Sequence, residues 1–197
     1  MYNAAVRAYR YPVSSLTTQH AAAVSFLESI GTQAVDHSDD GLLAHLDATF
    51  EVLQRWGNSP DVCLAGLCHA VYGTDGFATP LLDISERDRL TAVIGSAAEE
   101  RVYFFAACDR KFFYPLIGSR PLRFRDRFTN TEFEPPETLV RACLELLLAN
   151  DVELATRQQA FLDYTKTHYT QFFLKARDFV SRAAFSEYCE VYGLAQP

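Results

Sequence analysis

The sequence predicts an all-α fold with one short β excursion, and three observations carry that prediction. Apolar residues recur at helical spacing along most of the 197 residues, most clearly at Leu42, Leu43, Leu46, Phe50 and Leu53. One stretch, Arg120 to Phe133, instead alternates Phe124, Asp126 and Phe128 with Arg123, Arg125 and Arg127, which predicts a short hairpin around residues 121–134. Hydrophobic residues make up 49% of the chain, and no linker, internal repeat or low-complexity tract divides it. A single domain over residues 1–197 is therefore expected.

Taken in order, Ser15 or Thr18 caps a first helix through Ala21-Ala22-Ala23-Val24 to Ile30, where Gly31 is a natural stop. The second helix runs from Leu42 to Trp56 and ends at Gly57-Asn58, with His45 on or beside its apolar stripe. Ser59-Pro60-Asp61 opens a third, with proline at its first position. Because Val62 to Val71 is apolar almost all round, that helix should be central and buried, with His69 near its end. Gly73-Thr74-Asp75-Gly76 is a loop. Ser85-Glu86-Arg87-Asp88 and Ser96-Ala97-Ala98-Glu99 resemble capping boxes, the second leading into a helix that extends through Arg110 and delivers Asp109. After Pro135-Pro136 the pattern returns to helix over about 137–155, 156–180 and 183–192. Asn150, Asp151 and Glu153 read as a polar turn that caps the helix after them.

A formal net charge of −7 argues against a broad nucleic-acid surface, which needs Lys and Arg to neutralise phosphates, so a small-molecule substrate is the expected partner. No membrane is expected either: no uninterrupted apolar run approaches bilayer length, and the first residues lack the pattern of a leader. Five cysteines without a CxxC pair read as small buried hydrophobes in a reducing compartment, so a cytoplasmic location is the default. A homodimer is compatible with all of this. No glycine-rich phosphate loop, GxSxG elbow, HExxH motif or dinucleotide fingerprint is present.

The most informative pair is His45 and His69, each in an apolar stretch of a successive helix. Two imidazoles on neighbouring helices can converge on one point, and neutral imidazole is a common ligand for zinc, iron, manganese and nickel. The alternative is a pair of core histidines satisfied by carbonyls or carboxylates.

His45, His69 and Asp109, the last in Ala106-Ala107-Cys108-Asp109-Arg110, resemble the spaced ligands of the HD-domain superfamily of metal-dependent phosphohydrolases over roughly residues 39 to 110. That resemblance implies an HD-like helical bundle in which these three residues hold a divalent ion (iron, manganese, nickel or zinc). The chain departs from the pattern at Ala70, where the family has the aspartate of its His-Asp pair. Three arrangements stay open: Asp75 substitutes, the ion is held by two histidines, one aspartate and water, or the scaffold holds no metal. The region is also similar to HD-like di-iron oxygenases, in which residues before the first ligand helix close over the metal; His37 would then be a third ligand or a general base.

Asp75 is the other candidate base, against an Asx turn as the alternative. Arg110 and the hairpin residues Arg123 and Arg125, with Tyr72, are candidates for binding the substrate, because guanidinium forks suit phosphate or carboxylate. The alternative for the hairpin is a charged, aggregation-resistant edge. The leading expectation is a metal-dependent hydrolase of a small anionic, phosphate-type ester. A non-haem iron oxygenase and a metal-free small-molecule-binding or interaction protein are the alternatives.

Overall fold

The computed structural model describes residues 13–34 and 41–195. These form an all-α fold: α1 (Val13–Ser29), α2 (Leu42–Arg55), α3 (Pro60–Leu67), α4 (Arg87–Ile94), α5 (Ser96–Ala107), α6 (Arg110–Phe113), α7 (Glu137–Arg157), α8 (Gln159–His168), α9 (Thr170–Ala176) and α10 (Arg182–Tyr192). The hairpin lies between α6 and α7 as β1 (Phe124–Asp126) and β2 (Thr131–Phe133), antiparallel with Phe124 opposite Phe133 and Asp126 opposite Thr131. Among the described residues no helix is long and apolar enough to cross a membrane.

Helices α2, α3, α5 and α7 make the centre. α3 packs on α2 and α5, α7 packs on α2 and α5, and α10 covers α7. The local causes are plain. Leu42, His45, Leu46, Thr49, Phe50 and Leu53 fall on one buried face of α2 at helical spacing. Extended Ser59 precedes α3, Pro60 takes a first-turn position where its missing N–H costs nothing, and every residue from Val62 to Leu67 is buried. α3 lies so close to α2 that a Cβ on Gly66 would come within 2.3 Å of Leu53 Cδ1.

Several boundaries differ from those expected of the sequence. α1 begins at Val13, so Ser15 and Thr18 lie inside it. The capping box before α4 is formed by Asp83 and Glu86 around a 3-10 turn, with Ser85 supplying a backbone donor. α3 stops at Leu67, and α5 stops at Ala107 because the hairpin takes over its backbone. Arg127 N–H donates to Ala107 O at 2.8 Å, Asp109 N–H donates to Arg125 O at 3.2 Å, and Cys108 bridges Asp126. The expected helix over 156–180 is broken by the extended Gln158 and by Tyr169 into α8 and α9.

Candidate functional site

His45 and His69 do meet. Both are buried, at 1% and 3% exposure, and their Nε2 atoms stand 3.3 Å apart with the rings nearly perpendicular at 84°. The two side chains are oriented from behind. His69 lies in the turn just beyond α3, where its Nδ1 is 2.7 Å from Gly66 O, a carbonyl of the last helical turn that also accepts from His69 N–H at 3.5 Å. A carbonyl only accepts, so Nδ1 carries the proton and the neutral ring presents a lone pair at Nε2. His45 Nδ1 lies 2.5 Å from Glu153 Oε2, and the Glu153 carboxylate is also ion-paired with Arg157 one turn along α7. That places a donor at His45 Nδ1 and turns Nε2 toward His69, where it carries either a proton to share or, in the neutral ring, a lone pair.

Asn150 completes the convergence. Its Nδ2 donates to Asp151 Oδ1 at 3.0 Å, which fixes the amide and turns Oδ1 to within 3.2 Å of His45 Nε2. Two imidazole nitrogens and one amide oxygen thereby meet around His45 Nε2. Such a set is stable with a proton on one ring or with a cation among the three.

A cavity of about 340 Å³ opens beside this point, with His69, Ala70, Asn150 and Asp151 on one side and Arg110, Tyr114, Tyr164 and Tyr169 among its other walls. Asp151 is buried, and desolvation pushes its carboxyl up to about 6, against the opposing influence of Asn150, Arg110 and His45. Burial opposes the Arg110 charge, but the neighbouring Tyr114 and Asp151 outweigh it, and the guanidinium holds its proton more tightly than usual. Among the described residues Arg110 forms no ion pair with a carboxylate; its guanidinium lies 5.6 Å from the Phe105 ring and against Gly76, where a Cβ would approach Nη1 to 3.0 Å.

The other expected site residues are placed as follows. Asp109 does not join the histidines. With α5 ended by the hairpin, it becomes the N-cap of α6, accepting from Phe112 N at 3.0 Å and pairing with Arg125 at 3.4 Å. Among the described residues no three His, Cys, Asp or Glu side chains converge as a metal-ligand group. Asp75 accepts from Arg110 backbone N–H at 3.1 Å and so ties the loop after α3 to the start of α6. Arg123 and Arg125 both turn to Glu132 on the facing strand, at 3.8 and 2.7 Å, and are not cavity residues. Tyr72 is buried and donates to Glu99, which Arg87 grips with two 2.7 Å bonds. Arg110 is the one expected substrate-binding residue that reaches the cavity. His37 lies outside the described residues.

Asn150, Asp151 and Glu153 were expected to form a capping turn; they lie instead within the continuous α7 and supply the polar side of the site. Their signal in the sequence was the interruption itself. Three polar residues interspersed with Val152 between Leu146-Leu147-Leu148-Ala149 and Leu154-Ala155 must be buried with their neighbours once the segment is one helix.

A family profile described as a domain of unknown function, DUF6817, matches residues 26–110, a little under half of the chain. The matched span contains His45, His69, Asp75 and Arg110 but stops before the α7 residues that meet the histidines. No curated protein and no solved structure matches the chain.

Proposed function

We propose that this protein is an enzyme acting on a small anionic, phosphate-type ester, with His45, His69 and Asn150 holding a divalent cation at the edge of the Arg110 cavity. The observation that carries the reading is the 3.3 Å approach of two imidazole Nε2 atoms whose Nδ1 atoms both face acceptors. Two nitrogen ligands about 2.1 Å from one ion stand roughly 3.0 to 3.4 Å apart, so the separation fits a shared cation. Glu153 and Gly66 O meet the far side of each ring in the way that orients metal-binding histidines. A divalent ion held there would supply a bound water that ionises near neutral pH. Arg110 would take the ester's anion from the opposite wall, while Gly76 and Phe105 keep its fork in place. In this reading Asn150 stands where a carboxylate would bind more tightly, and the HD-like relationship is retained as a divergent one.

A second reading, a metal-free small-molecule-binding protein, is favoured by the neutrality of the direct donor set. Ala70 brings no carboxylate to the cavity, and Asp109 is engaged elsewhere. His45 would then be an imidazolium balanced by Glu153 and donating to His69 or Asn150.

Elemental analysis of untagged protein, beside His69→Ala and Asn150→Ala, separates the two. The enzyme reading expects close to one divalent ion per chain, depleted in both variants, together with metal-dependent hydrolysis of some member of a phosphomonoester panel. Absence of metal in the wild type after supplementation would remove it in favour of the second.

A further inference from the structure

Beyond His69, Asn150 and Asp151, the cavity is lined by several aromatic side chains, among them Tyr114, Tyr164 and Tyr169, and by the Arg110 guanidinium. Tyr164 is 53% exposed, an unusual place for a large aromatic side chain, yet its ring is held by stacking on His168 at 4.3 Å and by an edge contact with Tyr169 at 6.0 Å. Tyr169 in turn meets Tyr114 edge-on at 6.2 Å, and Tyr114 stacks on Phe172 at 4.2 Å. Arg110 sits within this array: its charge acts on both Tyr114 and Tyr169, countering the upward push that burial gives their phenols. Burial outweighs that charge, so both phenols remain neutral at physiological pH.

We infer that the cavity selects a ligand made of one flat aromatic ring joined directly, or by a short link, to an anionic group, with Arg110 on the anion and the Tyr164, Tyr169 and Tyr114 rings on the ring. This rests on the proposed reading in taking the ligand to be anionic, and adds the class of its uncharged part. A purely aliphatic ester would make no stacking or edge contacts with these rings, whereas an aromatic ring offers offset or edge-on contacts to them. A volume of about 340 Å³ lies at the small end of ligand cavities and accommodates one such ring with its anion. The planar guanidinium suits the same ligand, because it can fork to two oxygens while lying beside a ring.

Phenylphosphonate, methylphosphonate and benzyl alcohol are non-hydrolysable probes that separate the two halves of the ligand. Titration calorimetry on the full chain, with manganese and again in chelator, should show phenylphosphonate binding about tenfold more tightly than methylphosphonate, with benzyl alcohol weakest. Tyr164→Ala, at a largely exposed position that leaves the core intact, should reduce the phenyl preference about fivefold without weakening methylphosphonate. Arg110→Gln should lose both phosphonates. Equal affinity for the two phosphonates, or a phenyl preference unchanged in Tyr164→Ala, overturns the inference, as does failure of all three probes. Phenylphosphonate binding that persists in a protein with no metal and no turnover leaves this inference standing and removes the hydrolase reading; metal and turnover without ring preference does the reverse.

Discussion

Glu153 Oε2 lies 2.5 Å from His45 Nδ1, joining two side chains 108 positions apart in the chain and orienting the ring that faces His69. The carboxylate is 4% exposed and shared with the partly exposed Arg157, so α2 and α7 are linked through a buried carboxylate.

Removing the carboxylate should therefore cost more than a surface pair would. Glu153→Ala is expected to lower stability by about 2 to 4 kcal/mol, because Arg157 and His45 lose the acceptor that balances them. Glu153→Gln, which keeps an acceptor but not the charge, should cost less. Urea denaturation of the two variants measures the difference, and a wild-type midpoint for Glu153→Ala would mean that the network contributes nothing.

Asp151 gives a pH dependence of definite sign. Its carboxyl is raised from 3.8 to about 6 by burial, so between those values the folded chain holds a proton that the unfolded chain has released. This group's contribution is most favourable at low pH and is lost as pH rises through about 6. Above that, the buried charge costs on the order of 3 kcal/mol. In chelator, Asp151→Asn should therefore stabilise the protein at pH 7.5 and leave it nearly unchanged at pH 4. A variant equally affected at both pH values would show that desolvation of Asp151 is not the cause.

Gly66 sets the separation of α2 and α3. Alanine there gains up to about 1 kcal/mol of helix propensity but drives a Cβ to 2.3 Å from Leu53 Cδ1, in a core where overpacking costs about 1 to 3 kcal/mol. Gly66→Ala should therefore be net destabilising by about 1 kcal/mol. Gly66→Ala on a Leu53→Ala background should cost less than on the wild type; strict additivity in that double-mutant cycle would disprove the contact as the reason for glycine.

All five cysteines are buried and free, and desolvation raises the thiols of Cys63 and Cys68 to about 12. At pH 8 they are almost wholly in the unreactive thiol form. A disulfide-exchange reagent should modify neither on the timescale of free cysteine until denaturant is added. Rapid stoichiometric labelling of either in the native protein would contradict the burial described.

The sequence by itself determined the all-α class, the central burial of Val62 to Leu67, the hairpin and the inward direction of His45, because each follows from periodicity within one segment or from local turn chemistry. The tertiary structure decided the membership of the site. Asp109 was credible as a third site residue while α5 could be read through to Arg110; pairing of Ala107, Cys108 and Asp109 with the hairpin ended that helix and made Asp109 a cap. Conversely, Asn150 and Glu153 resembled a turn until their segment proved to be one continuous buried helix against α2. Local pattern reports which face of a segment is apolar, but which polar groups share a buried point depends on where helices stop and which faces pack together, and those are set by hydrogen bonds and contacts between residues far apart in the chain.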